Sequence, residues 1–171
     1  MNRENGGACP RTGGSRGYVL DMHVHVAGIG VGSGCRISPK LLNNWRYALY
    51  LRAFSTSREE IARHGDAIVI RRIDESLAAS RLVDGAVLLA LDQVYDPVSR
   101  RPNHERTEVF IPNEFVRDEI ASHPRLHYGA SVNPYRPDWR EALQAAHDDR
   151  AVLIKWLPAI QHIDPSDPAI I

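Results

Sequence analysis

Four short apolar runs, each separated from the next by segments of helical periodicity, constrain this chain more than any other feature. They cover residues 18–26 (YVLDMHVHV), 86–91 (AVLLAL), 126–132 (LHYGASV) and 151–157 (AVLIKWL). Strands that alternate with helices fold as a parallel sheet, because a parallel neighbour is reached only through a long crossover. The run AVLLAL is apolar without alternation, as expected of a strand covered on both faces. The order read from the sequence is β, α(α), β, α, β, α, β.

The segments between the runs carry helix start and stop signals. Ser38-Pro39 supplies an N-cap and a first-turn proline, and Leu41, Leu42, Trp45, Ala48 and Leu49 recur at helical spacing, which predicts a helix over about 39–54. Ser57-Arg58-Glu59-Glu60 is a capping box, Gly65 is a stop or break, and Ile68, Ile73, Leu77 and Leu82 resume the helical period. Residues 93–112 are polar and read as a long loop. Asn113 caps a helix to about Ser122, and Pro137-Asp138 opens another through Trp139, Leu143 and Ala146. The glycines of residues 27–34 miss the G-x-G-x-x-G spacing of a dinucleotide turn, and the next helix starts too late to meet a pyrophosphate.

With 171 residues, 43% hydrophobic and 25% charged, the chain has the composition of one globular domain. Lys plus Arg and Asp plus Glu are 21 each, so no net field draws in nucleic acid or an anionic membrane, and a small-molecule substrate is the expected partner. Residues 1–16 lack the apolar core of a signal peptide and read as a flexible leader ahead of a single domain over 17–171. No run approaches the roughly 20 apolar residues of a membrane helix. Cys9 and Cys35 show no C-x-x-C pairing and read as reduced thiols of a cytoplasmic protein; a disulfide between them also fits the count.

On a regular strand Asp21, His23 and His25 face one side, with Met22, Val24 and Val26 on the other. Two neighbouring imidazoles can approach one divalent ion, and an adjacent carboxylate can orient a ligand; the competing reading is two hydrogen-bonded core histidines. Their place at the C-terminal end of a first parallel strand, where barrel active sites are built, favours ligation. Lys155 interrupts the apolar fourth strand, so it must reach water, pair with a carboxylate or take part in chemistry. Asp92 and Asn133 end the second and third strands at corresponding rim positions. Both are candidates for substrate binding, although both residue types commonly end strands. His162 and His104 read as loop residues, His64, His123 and His147 as surface, and Trp45, Tyr47, Tyr50 and Phe54 as helix packing.

Asp21-Met22-His23-Val24-His25, Ser131-Val132-Asn133-Pro134 and Ile154-Lys155-Trp156-Leu157-Pro158 together resemble the amidohydrolase superfamily. The nearest branch is that of the amidohydrolase-related metal-dependent hydrolases and decarboxylases, and the resemblance spans about residues 18–171. It implies a TIM (β/α)8 barrel in which His23 and His25 hold a divalent metal, zinc foremost. Lys155 would be either carboxylated between two metals or a catalytic group of the substrate site. The implied reaction is hydrolysis of a C–N or C–O bond of a small molecule by metal-activated water, with nonoxidative decarboxylation as the alternative on the same scaffold. A full barrel takes about 250 residues, so the chain reads as about four βα units, the first half of a barrel, without the later histidine and aspartate of the family site. Such a half-barrel is expected to expose its first and last strands as edges. It would then aggregate, form a homo-oligomer or pair with another half-barrel, and an inactive half-barrel without turnover is the third reading.

Overall fold

A computed structural model describes residues 17–168 and residue 170; the sequence-predicted leader and Cys9 lie outside them. The described chain is mixed α/β. Four parallel strands, β1 (Leu20–His25), β3 (Gly85–Leu89), β5 (Leu126–Ala130) and β6 (Leu153–Ile154), form one sheet in the order β1-β3-β5-β6. Consecutive strands are neighbours, as right-handed βα crossovers produce. A second, two-stranded antiparallel sheet joins β2 (Arg36–Ile37) to β4 (Val109–Phe110).

The sheet curls into half of a barrel. In a flat four-stranded sheet the outer strands lie roughly 14 Å apart, yet Lys155 Nζ beyond β6 stands 3.3 Å from His25 Nδ1 at the end of β1. The register explains how the concave face closes. His25 pairs with Leu89, Leu89 with Gly129, and Gly129 with Leu153, so these four form one row on that face. At Gly129 a Cβ would fall 2.6 Å from Leu89 Cδ2 and 3.0 Å from Val87 Cγ1. A side chain there would prop the curl open.

The convex face carries the helices. α4 (Ala67–Ala79) buries Ile68, Val69, Ile70, Ile73 and Leu77 against Ala86, Leu88 and the partly buried Val24. Each such side chain contributes about 2 kcal/mol of apolar burial. α5 (Asn113–Ile120) adds Phe115 and Val116, and α6 (Trp139–Asp148) adds Ala146. The helix expected over 39–54 is two: α1 (Pro39–Leu42) and α2 (Trp45–Ala53), because Asn43 caps the end of the first and Asn44 caps the start of the second. α3 (Arg58–His64) starts on Ser57 as the capping box predicts. The polar stretch 93–112 is not wholly loop, since β4 lies inside it, and a short α7 (Pro158–Gln161) follows the last strand. No helix among the described residues is long and apolar enough to cross a membrane.

Candidate metal centre and adjoining cavity

A β-bulge shapes the histidine strand. Leu20 and Asp21 pair with Gly85 and Ala86, but Val24 and His25 pair with Leu88 and Leu89, so β1 spends one extra residue between Asp21 and Val24. A bulge of one residue reverses the alternation on its far side. Asp21 therefore does not share a face with His25, as regular alternation requires. It lies with Val24, Phe54, Ile73, Leu77 and Ala86 along a groove on the convex side, and its Oδ1 accepts the His23 backbone N–H at 3.0 Å. The carboxylate fixes the bulge and does not orient an imidazole.

The two imidazoles do converge. His23 Nε2 and His25 Nε2 are 2.9 Å apart, with ring centroids 4.8 Å apart and tilted by 46°. Two nitrogens each about 2.05 Å from one ion and subtending 90–110° there are about 2.9–3.4 Å apart, so the pair fits two adjacent corners of one coordination sphere. Burial, the Lys155 charge and His23, in that order, lower the His25 pKa to about 4. At neutral pH its ring is the uncharged form that ligates. His, Cys, Asp and Glu form no group of three able to hold a metal among the described residues. The donor chemistry thus fits half of a site: two nitrogens are present, and a third ligand of those types is not among the described residues.

Lys155 stands behind the pair. It is buried, 7% exposed, and burial lowers its pKa to about 8. Of the three fates open to a lysine in an apolar strand, the structure selects none involving a carboxylate: its polar contact among the described residues is His25 Nδ1. With an ammonium donating there, the His25 proton resides on Nε2 and is shared with His23 Nε2.

His25 and Lys155, but not His23, open on a cavity of about 310 Å3, lined also by Arg46, Tyr47 and Tyr50 together with Ile37, Leu41, Leu91, Val109, Ile111, Leu157 and Ile160. It is a largely apolar space with a few polar groups, the composition of a small-molecule site. The sequence placed Tyr47 and Tyr50 in packing. Both are stacked at 6.0 Å and Tyr50 packs edge-on to Phe54 at 5.0 Å, but they also wall the cavity. Burial pushes the Tyr50 hydroxyl up to about 12, so both phenols stay protonated. Trp45 is 69% exposed and lies outside the cavity lining.

Asp92 and Asn133 are at the strand ends as expected, but their polar atoms are committed within the chain. Asn133, fully buried, donates from Nδ2 to the carbonyls of Gln93 (3.0 Å) and Gln161 (3.1 Å), and its Oδ1 accepts from Tyr135 N at 3.0 Å. Asp92 Oδ2 accepts from Asn133 N at 2.8 Å and from Arg136 at 3.2 Å, and Oδ1 accepts from Gln93 N at 2.8 Å. Burial raises the Asp92 pKa, with these donors opposing. The two residues knit three strand-end loops together; the geometry brings neither to the histidine pair.

One buried acid escaped the sequence reading. Asp66, 0% exposed, accepts from Ile29 N (2.8 Å), Gly30 N (2.9 Å) and the Ser33 hydroxyl, anchoring the Gly-rich loop after β1. The only sequence trace was its place just before α4. Cys35, also in that loop, is a buried thiol whose pKa burial pushes up to about 12. His162 caps α7 in a left-handed conformation and is exposed, His104 contacts Arg36 at 2.8 Å, and neither approaches the pair.

No family model, curated protein or solved structure matches this chain.

Proposed function

We propose that this chain carries the metal-binding half of a hydrolase site of the amidohydrolase type, acting on a C–N or C–O bond of a small, largely apolar molecule. The observation that supports it most is the approach of His23 Nε2 to His25 Nε2 at 2.9 Å at the mouth of a curled parallel sheet. His23 and His25 would hold the divalent cation, zinc foremost, through those atoms. A cation there supplies Lewis-acid polarisation of a carbonyl and a lowered pKa for water.

The chain's own residues set the proton inventory. For both Nε2 lone pairs to face one ion, the His25 proton must sit on Nδ1, which points at Lys155. Lys155 must then be the amine that accepts it, and a pKa of about 8 puts that state within one pH unit of neutrality. Ligand binding and proton release from Lys155 are therefore coupled. Tyr47, Tyr50 and the aliphatic wall exclude water from the cavity and orient an apolar substrate beside His25.

A second reading, metal binding without turnover, is favoured by one observation: the described residues add no third His, Cys, Asp or Glu ligand to the pair, whereas catalytic zinc sites keep three protein ligands and an open position. Metal analysis with an ester and amide screen separates the two. The hydrolase reading expects stoichiometric zinc and turnover, both lost in His23→Ala and His25→Ala. Zinc without turnover supports the second reading, and a protein with neither refutes both.

A further inference from the structure

The balance of 21 cations against 21 acids hides an uneven distribution. Residues 1–58 hold 8 of the cations and 2 of the acids, a net charge of +6, and residues 59–171 carry the matching −6. Between Asp21 and Glu59 there is no acid at all, while Arg36, Lys40, Arg46, Arg52 and Arg58 fall there. Such a division of charge along a chain points to an anionic partner for its basic part. Residues 1–16, with three arginines and one glutamate, add to this charge and do not neutralise it.

In the middle of the acid-free stretch lies α2, and its outer face is banded. Tyr47 and Leu51 turn inward. Trp45, Leu49 and Ala53, spaced i, i+4 and i+8, form one exposed apolar stripe, in which Trp45 is 69% and Leu49 58% exposed. At about 100° per residue, Arg52 falls on one margin of the stripe and Arg46 on the other, both exposed. The Arg46 guanidinium lies 5.5 Å from the Trp45 ring centroid, and the exposed Lys40 of α1 adds a third cation just before the helix. Among the described residues, none of Lys40, Arg46 and Arg52 has a carboxylate within ion-pair distance.

We propose that α2 docks on the surface of an anionic lipid bilayer, with Trp45 and Leu49 entering the headgroup boundary and Lys40, Arg46 and Arg52 meeting the lipid anions. Complementarity selects this occupant. An apolar stripe with cations on both margins calls for a partner that is negative at its surface and apolar beneath, as an anionic bilayer is; a nucleic acid offers no apolar depth for Leu49. No span is involved, because α2 is nine residues long and would lie in the interface plane. Each cation near such a surface is worth roughly fivefold in partition, so the three together give about a hundredfold over a neutral bilayer. Arg46 and Tyr50 also line the cavity of about 310 Å3, so docking sets that cavity beside the lipid. The inference stands on α2 and its charge and does not depend on metal or turnover.

The test is co-sedimentation of the 171-residue chain with vesicles of phosphatidylcholine alone and with phosphatidylserine added, at low and high salt, together with tryptophan quenching by brominated acyl chains. The phosphatidylserine vesicles should bind about a hundredfold more tightly than neutral ones, with steep weakening as salt rises. Quenching should be lost in Trp45→Phe although Trp139 and Trp156 remain. Lys40→Glu combined with Arg52→Glu should bind no better than the unaltered chain binds neutral vesicles. Absence of binding, equal binding to both vesicles, or quenching that persists in Trp45→Phe overturns the proposal. So does a Trp45 already shielded from acrylamide before vesicles are added, the result expected if another part of the chain or a second copy covers this face. Should the double charge reversal unfold, the unaltered chain and Trp45→Phe decide alone.

Discussion

Replacing Asn133 by alanine separates a structural from a substrate-binding role at the rim. The side chain is fully buried and holds three backbone groups: the carbonyls of Gln93 and Gln161 and the N–H of Tyr135. Alanine leaves all three without that partner in a site too enclosed for free hydration. An orphaned buried group costs about 1–3 kcal/mol, and partial relaxation brings the total to about 3–5 kcal/mol. That is a large share of the 5–15 kcal/mol typical of a domain, and for about 150–170 residues it lowers Tm by roughly 10 °C. Urea unfolding followed by circular dichroism should show a fall in midpoint with an unchanged slope. A loss below about 1 kcal/mol, accompanied by weakened binding of a cavity ligand, would refute the reasoning and return Asn133 to the substrate.

Further outcomes follow from the same structure. The folded His25 pKa of about 4 lies below its unfolded value near 6.5, so the unfolded chain binds the extra proton between them. Stability present above pH 6.5 is therefore lost as the pH falls towards 4, and His25→Asn should flatten that part of the profile; an unchanged slope contradicts the assignment. Lys155→Met removes one of the charges that lower His25, so its NMR titration should move up while burial keeps it below 6.5; no movement would show that the two groups are not in contact. Gly28→Ala puts a Cβ 2.7 Å from Cys35 Sγ and 2.8 Å from Asp66 Oδ2, and should cost about 1–3 kcal/mol of stability in a thermal melt. Iodoacetamide at pH 8 should leave Cys35 unmodified in the folded protein and alkylate it in urea; rapid native labelling would show that the Gly-rich loop opens freely.

The sheet order was legible because each strand is an apolar run and each crossover carries its own caps. Ser57 and Gly65 announce α3 by local chemistry that needs no tertiary partner. β2 and β4 were not legible: each is two residues long, and their pairing joins Arg36 to Phe110 across the chain, which no local pattern records. The histidine pair was visible from its spacing, but the face of Asp21 was not. Alternation predicts a regular strand, and the bulge that overrides it is held by pairing with β3 and by the Asp21 carboxylate. Tyr47 and Tyr50 sit at helical spacing that serves packing and cavity alike, so their second role emerges only when α2 is seen against His25 and Lys155. Asp66 gave no periodic signal, since its partners are loop amides some 36 residues earlier.

The central claim is that His23 and His25 present Nε2 to one cation. Ring 15N NMR of the zinc-titrated protein tests it directly: saturation at a fixed zinc ratio should shift Nε2 of these two histidines to ligated values and leave their protons on Nδ1, with the rings of His104 and His162 unmoved. Zinc that leaves the His23 and His25 rings unchanged, or that shifts other histidines instead, would contradict the account.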